Sequence, residues 1–293
     1  MEELIQKASV LLEALPYIQR YAGARFVIKY GGSFMDSPDP EVRASVARDV
    51  VFLQAVRIRP VIVHGGGKAI SRAMQQAGLE PRFIQGLRVT DRETAQLVDR
   101  VLSTEINPQI VEMINRLGGR AVGIPGPKIL RARRFHATTP QGEPIDLGCV
   151  GRVVDVDTAA IWECLEEGIT PVISPTARGE EDGQVYNCNA DVVAAEVAIA
   201  LRARRLVFMS DVPGLLRDPK DPNSVIPHLR VEEVQQLRES GVIDKGMIPK
   251  VEGGVRAVRA GVEKVSFVDG RVPHAVLLEI FTDRGVGTEV VLE

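Results

Sequence analysis

The 293-residue chain is poor in the residues that mark several protein classes. It has three cysteines, Cys149, Cys164 and Cys188, with no CxxC spacing, which argues against a disulfide framework and a structural zinc site. Its histidines, His64, His136, His228 and His274, form no HExxH pair, and no GxSxG elbow is present, so zinc-peptidase and hydrolase readings lose their usual support. No apolar run approaches the roughly 20 residues that span a bilayer. There is no excess of basic charge: the formal net charge is −3, with lysines and arginines dispersed, so nucleic acid is not an expected partner. Glu2, Glu3 and Glu13 lie where a secretory signal would be apolar and basic. A cytoplasmic protein without a membrane partner is the expectation.

Hydrophobic residues make up 45% of the chain, enough for one large α/β domain or two modest ones sharing a sheet. Short β-branched runs recur: "RFVIKY", "PVIVHG", "AVGIPG", "TPVISP", "RLVFMSD", "KVSFVDG" and "EVVLE". Most precede segments of helical periodicity. Runs so uniformly apolar suit strands covered on both faces, and their alternation with helices predicts βαβ units around a parallel sheet. From Arg131 to Val154 the rhythm breaks into short extended pieces, read as antiparallel hairpins. Ala177 to Asn187 reads as irregular and as the boundary between two halves. In the first segment Leu4, Ala8, Leu11, Leu15 and Ile18 form an apolar stripe widened by Ile5 and Leu12. That helix either folds onto its own domain or pairs with another subunit, and Pro16 is expected to kink or break it.

Several strand ends carry residues suited to anions. "FVIKYGG" ends a buried strand in Lys29, with Gly31 and Gly32 following. "VIVHGGGKAIS" puts Gly65, Gly66 and Gly67 between a strand and a helix, where backbone amides can approach an anion. It is not a Walker A loop, since Ala69 follows Lys68, and a tight turn alone would explain the glycines. Lys250 follows Pro249 at a helix start, where a cation is unfavourable by roughly 0.3–1 kcal/mol unless an anion is near. Asn187, Asn189 and Asp191 crowd another helix start and exceed what one cap needs. Arg88 lies in a loop before a helix capped by Thr90 or Asp91, and offers bidentate geometry to a carboxylate. Ser210, Asp211 and Gly214 follow a strand whose carboxyl end belongs to the ligand side of an open α/β sheet.

In this order, "KYGG", "VIVHGGG", "GLRVTD", "NCNAD", "SDVPGLL", "GMIPKVE" and "PHAVLLEIFTDRGVGT" resemble the acetylglutamate kinases of the amino acid kinase superfamily, over the chain from about Tyr17 to the end. The resemblance implies a three-layer αβα sandwich with a mainly parallel central sheet and a protruding N-terminal helix. It implies an oligomerisation helix at 1–20, an acetylglutamate-binding and dimerisation half at 21–178, and an ATP-binding half at 179–293. Lys29 and Lys250 would flank the transferred phosphoryl, with Asp191 orienting both. Gly66, Gly67, Arg88, Asn187 and Asn189 would hold N-acetyl-L-glutamate. Gly31, Gly32, Ser210, Asp211 and Gly214 would hold ATP, its Mg²⁺ riding on the phosphates without a protein cage of its own. The arginine-sensitive branch adds L-arginine at Tyr17, His274, Glu279 and Gly285. It also implies dimers joined into a hexamer, and leaves open a nitrogen-signalling protein as partner. The alternatives are a same-fold kinase for acetylaminoadipate, aspartate or glutamate, and a non-catalytic nucleotide or arginine sensor.

Overall fold

The computed structural model describes residues 1–37, 39–139, 141–244, 246–282 and 284–292, with the side chains of Glu2, Glu3, Leu4, Lys7 and Phe34 outside that description. The Leu4 position of the apolar stripe and Asp283 of the C-terminal motif therefore lie outside it. The apolar runs form strands β1 (Arg25–Tyr30), β2 (Arg59–His64), β3 (Ala121–Ile124), β4 (Leu130–Arg134), β5 (Val150–Val156), β6 (Thr170–Ile173), β7 (Thr176–Gly179), β8 (Val185–Cys188), β9 (Arg205–Ser210), β10 (His228–Arg230), β11 (Lys264–Asp269) and β12 (Thr288–Val291). Eight of them make one sheet in the order β10-β12-β11-β9-β1-β2-β6-β3. The ladders from β11 to β3 are parallel, and β12 is antiparallel to β11.

Every residue of β9, and all but the first of β1 and β2, is buried, because helices cover both faces. Alternate β1 residues separate two apolar layers. Val27 packs in the layer containing residues of α7 (Ala190–Ala200) and α8 (Ile248–Arg259), while Phe26 and Ile28 pack with α2 (Pro40–Ala55), α5 (Asn107–Arg116) and α9 (Ala275–Ile280). The αβα sandwich expected from sequence is present. α3 (Gly67–Gln76) follows the glycine turn; α4 (Arg92–Arg100) follows Leu87–Arg88, which is not the expected loop but a short strand paired antiparallel with Phe83–Ile84, and α6 (Ala159–Glu166) precedes β6. A π-helical segment, Val101–Ile106, joins α4 to α5. Pro108, at the start of α5, lacks the N–H that would continue an α-helical ladder back to Thr104.

Two further expectations change. α1 (Glu2–Tyr21) runs through Pro16 rather than ending there. Its last turn is anchored on the body: Tyr17 meets the Phe281 ring edge-on at 6.3 Å, and Tyr21 is buried against Phe26. Tertiary packing thus offsets the cost of the proline. The stretch Ala177 to Asn187 is not irregular. β7 and β8 pair across it as an antiparallel hairpin. They close a four-stranded barrel with β4 and β5, whose antiparallel pairing is the hairpin expected at Arg131 to Val154. The polar "GEEDGQ" between them is turn chemistry; the pairings of β7 with β4 and of β8 with β5 are non-local, and no local pattern announces them.

α2 and α9 meet at a charged contact. His274 Nδ1 lies 2.6 Å from Oδ1 of the buried Asp49, and the His274 amide donates to Ser45 Oγ at 2.9 Å. Burial pushes the Asp49 carboxyl up to about 6, against the pull of His274. The native state therefore holds this proton more tightly than the unfolded chain does. Stability from this group is fully present below the ordinary carboxylate range and is lost as pH rises through about 6. Asp49→Asn is expected to gain stability relative to the parent as pH rises from about 4.5 to 7. Paired urea titrations at the two pH values check this; a difference that does not move with pH would contradict it.

Candidate active site

Lys29 is the penultimate residue of β1, paired in register with Val63 of β2 and Phe208 of β9, and is buried. Its Nζ lies 3.1 Å from Asp191 Oδ1. Lys250, in the first turn of α8, approaches the other oxygen of the same carboxylate at 3.0 Å. Asp191 sits in the first turn of α7, where the Asn189 side chain caps the helix by accepting from the amides of Asp191 (2.8 Å) and Val192 (3.3 Å). One buried carboxylate thus bridges two ammonium groups from opposite halves of the chain. Burial works against the charge of Asp191, and the two lysines nonetheless hold its carboxyl below the ordinary carboxylate range. Burial is also the largest effect on Lys29, whose pKa is lowered despite Asp191.

The glycines bring backbone to these cations. A Cβ on Gly31 would stand 2.5 Å from Lys29 Nζ, so only glycine lets the ammonium lie against the turn. Gly32 follows at φ 146°, which other residues rarely adopt. The second glycine turn abuts the first: a Cβ on Gly65 would lie 3.5 Å from Gly31 Cα, and Gly65 N–H donates to Tyr30 O at 2.7 Å. Gly66 packs under the π-helical segment, where a Cβ would come within 2.6 Å of Leu102 Cδ2. Gly67 opens α3.

Arg88 is folded back onto that helix start. Its Nη2 donates to Gly67 O at 3.1 Å and to Ser71 Oγ at 2.9 Å, and its guanidinium lies 4.6 Å from the centre of the Phe83 ring. All of these partners are neutral. Among the described residues no carboxylate pairs with this buried cation, which leaves its charge available to an anion. Asn187 donates to Thr90 Oγ1 at 3.2 Å, and Thr90 Oγ1 donates to Arg88 O at 2.8 Å, so Asn187, Thr90 and Arg88 form one hydrogen-bonded arm. Asp91, not Thr90, caps α4, accepting from Thr94 N at 2.7 Å.

On the other side lie the residues after β9. Asp211 Oδ1 accepts from both the backbone N and the Oγ of Ser33, each at 2.7 Å, which ties the Gly31–Gly32 turn to the end of β9. Ser210 Oγ donates to Val212 O at 3.4 Å. Gly214 has φ 153° and lies against Thr288, whose Oγ1 accepts from the Leu215 amide at 2.8 Å.

The sequence pattern of the amino acid kinase family matches residues 24–269. The chain belongs to this family. It is 48% identical over 290 residues to an acetylglutamate kinase of Akkermansia muciniphila, covering 99% of this chain and 97% of that one. It is 46% identical to an acetylglutamate kinase of Aquifex aeolicus, over the whole of both chains. Among solved structures, N-acetylglutamate synthase from Neisseria gonorrhoeae, complexed with coenzyme A and N-acetyl-glutamate, superposes with a TM-score of 0.82 at 24% identity. That match covers 98% of this chain and 63% of the other, and shows the fold.

In this family member a second cluster forms around α9, away from the lysine pair. His274 precedes the helix, Tyr17 packs on Phe281 just beyond it, and Glu279 lies within it. The buried Glu279 carboxylate accepts from Ser266 Oγ at 2.7 Å and from the Val286 amide at 2.9 Å; Gly285 is so close that a Cβ there would stand 2.5 Å from Glu279 Oε2. The Arg205 guanidinium beside it reaches Tyr21 Oη at 2.7 Å and the Glu279 carbonyl at 3.3 Å. Ser33 and Arg205 were not anticipated. A serine after paired glycines is a legible loop signal, whereas Arg205 reads as the polar start of a strand.

The bridged lysines yield a quantitative expectation. Asp191→Asn leaves two ammonium groups facing each other without compensation, and should lower stability by roughly 3–5 kcal/mol. Adding Lys29→Met should restore part of that loss. A double-mutant cycle by urea denaturation reads the coupling; strictly additive costs would mean that the charges do not sense each other in the fold.

Proposed function

We propose that the chain transfers the γ-phosphoryl of ATP to the side-chain carboxylate of N-acetyl-L-glutamate, giving N-acetyl-L-glutamyl 5-phosphate and ADP, the second step of arginine biosynthesis. The observation that carries the reading is the Lys29–Asp191–Lys250 bridge beside two touching glycine turns. The similarity to acetylglutamate kinases over nearly full length supports the choice of acid.

The reaction joins two anions, so the protein's task is placement and charge neutralisation. The nucleophile is a carboxylate, ionised at neutral pH, and no base is needed. In this proposal Lys29 and Lys250 stabilise the charge that spreads over the transferring phosphoryl, and Asp191 aims them. Gly31 and Gly32 bring backbone to the nucleotide phosphates, with Asp211 and Ser33 fixing their turn. Ser210 and Gly214 border the nucleotide in the half 179–293. Gly66 and Gly67 offer amides to the reacting groups, Arg88 of the half 21–178 takes the α-carboxylate of the acid, and Asn187 and Asn189, from the start of the half 179–293, face its acetamido end. Among the described residues no three His, Cys, Asp or Glu side chains are grouped to hold a metal ion. The cations and glycine turns suit a polyphosphate, and Mg²⁺ carried on it would supply further charge neutralisation. An ADP-release assay offering acetylglutamate, acetylaminoadipate, glutamate and aspartate tests the reading. Faster turnover of another acid, or of none, would overturn it.

We further propose feedback control by L-arginine through α1 and the cluster around α9. Ile5, Leu11, Leu12 and Leu15 leave an apolar stripe on α1 exposed, which supports pairing with the same helix of another subunit and a hexamer of three dimers. Glu279 could pair with an arginine guanidinium only if the Gly285–Val286 turn moved, which would couple the ligand to a change of shape.

Lys29→Ala and Lys250→Ala are each expected to lower kcat on the order of 10²–10³ with little change in KM. Arg88→Ala should instead raise the KM for the acid and spare that for ATP. Initial rates over both substrates separate the two patterns; near-normal turnover of either lysine variant, or an equal rise in both KM values for Arg88→Ala, would reject the corresponding role. Deletion of residues 1–20 should abolish both arginine inhibition and the largest oligomer, as read by light scattering and rates with millimolar arginine. A truncated chain that stays hexameric and inhibited would refute the role of α1.

A further inference from the structure

His64 ends β2 completely buried and has no part in the chemistry above. An apolar residue would fill its space without burying two ring nitrogens, a cost that only hydrogen bonds offset. Both nitrogens have partners: Nδ1 lies 2.8 Å from Gly65 O, and Nε2 lies 3.3 Å from Asn107 Nδ2. We propose that His64, held by Asn107, is a positioning residue that locks the Gly65–Gly66 peptide so that the Gly66 amide faces the phosphoryl-transfer cleft. This rests on the kinase reading of that cleft.

The hydrogen bonds propagate in one direction. Val172 O can only accept, and Asn107 Nδ2 donates to it at 2.8 Å, which fixes the orientation of the carboxamide. The second proton of the same nitrogen points to His64 Nε2, which must then carry the lone pair. The ring proton is therefore on Nδ1 and is donated to Gly65 O. Burial depresses the imidazole pKa to about 4, so the ring stays neutral at working pH. Asn107 itself is pinned: it is buried at the start of α5, just after the π-helical segment, and a Cβ on Gly123 would collide with its Oδ1.

The geometry of a trans peptide supplies the rest. The C=O of Gly65 and the N–H of Gly66 belong to one planar unit and point in opposite directions. Anchoring the carbonyl on the buried imidazole sends the amide outward. Among the described residues the Gly66 N–H donates to no protein acceptor. Between two glycines such a peptide can rotate at little steric cost, and the rotated form would aim a carbonyl oxygen at an incoming phosphoryl group. His64 and Asn107 oppose that rotation, and Leu102 confines Gly66 from the side.

Selective ¹⁵N labelling of histidine in the full-length protein tests the tautomer without any substrate, with the His64 signals assigned by their loss in His64→Asn. Protonated Nδ1 and bare Nε2 at about pH 7 are expected; the opposite tautomer would overturn the proposal even if no variant were active. Kinetically, His64→Leu should lower kcat on the order of 10–10²-fold with KM for the acid changed much less. His64→Asn, whose amide can reach Gly65 O as Nδ1 does, should retain about tenfold more turnover than His64→Leu. Asn107→Leu should reproduce the His64→Leu pattern, and serves where His64→Leu does not fold. Full turnover in His64→Leu or Asn107→Leu, or a loss confined to KM, would also overturn it. A parent protein that phosphorylates none of the acids would sink the proposed function, while the tautomer result would still report on the peptide lock.

Discussion

Bringing two ammonium groups into one desolvated cleft is unfavourable unless an opposite charge lies between them. Asp191 meets that condition with one oxygen for each lysine, at 3.1 and 3.0 Å. Much of the surrounding architecture serves this bridge. The cap supplied by Asn189 sets the first turn of α7, and with it the carboxylate. β1 must run between β2 and β9 for Lys29 to emerge at the bridge. α8 must begin beside α7 for Lys250 to arrive from the other side. A free-standing lysine pair would splay apart; Asp191 keeps the two ammonium groups side by side.

The cleft lies where parallel strands end together. β1, β2 and β9 run the same way, so their carboxyl ends deliver Lys29, the two glycine turns and Asp211 to one edge of the sheet. The turns are load-sharing rather than independent, because Gly31 and Gly65 touch and Asp211 holds Ser33. The Arg88 arm reaches the same edge by a different route: Arg88 is anchored on α3, which the second glycine turn itself initiates.

Much of this was legible in sequence. Continuous β-branched runs marked strands buried on both faces, and Lys250 stood out because a cation at a helix start needs an anion, which Asp191 provides. Asn189 and Asp191 exceeded one cap because one caps and the other pairs. What escaped reading depends on distant partners. Pro16 argued locally against a continuous helix, and aromatic packing by Tyr17 and Tyr21 outweighs it. The β7–β8 stretch looked irregular because its short strands are completed by β4 and β5. His64 was one histidine among four; its meaning depends on Asn107, which no spacing rule connects to it.

The placement of β1 also bears on how the chain comes to be folded. Among the described strands β1 comes first along the chain, yet it is central: Phe26 pairs with Arg205, which emerges far later. At roughly 5–20 residues per second of synthesis, one edge of this strand waits on the order of 10–40 s for its neighbour. During that interval an apolar ladder with unpaired N–H and C=O groups stands open to other nascent chains. The sheet that delivers Lys29 to the bridge is thus finished late, and the same topology leaves the growing polypeptide open to mispairing until β9 arrives.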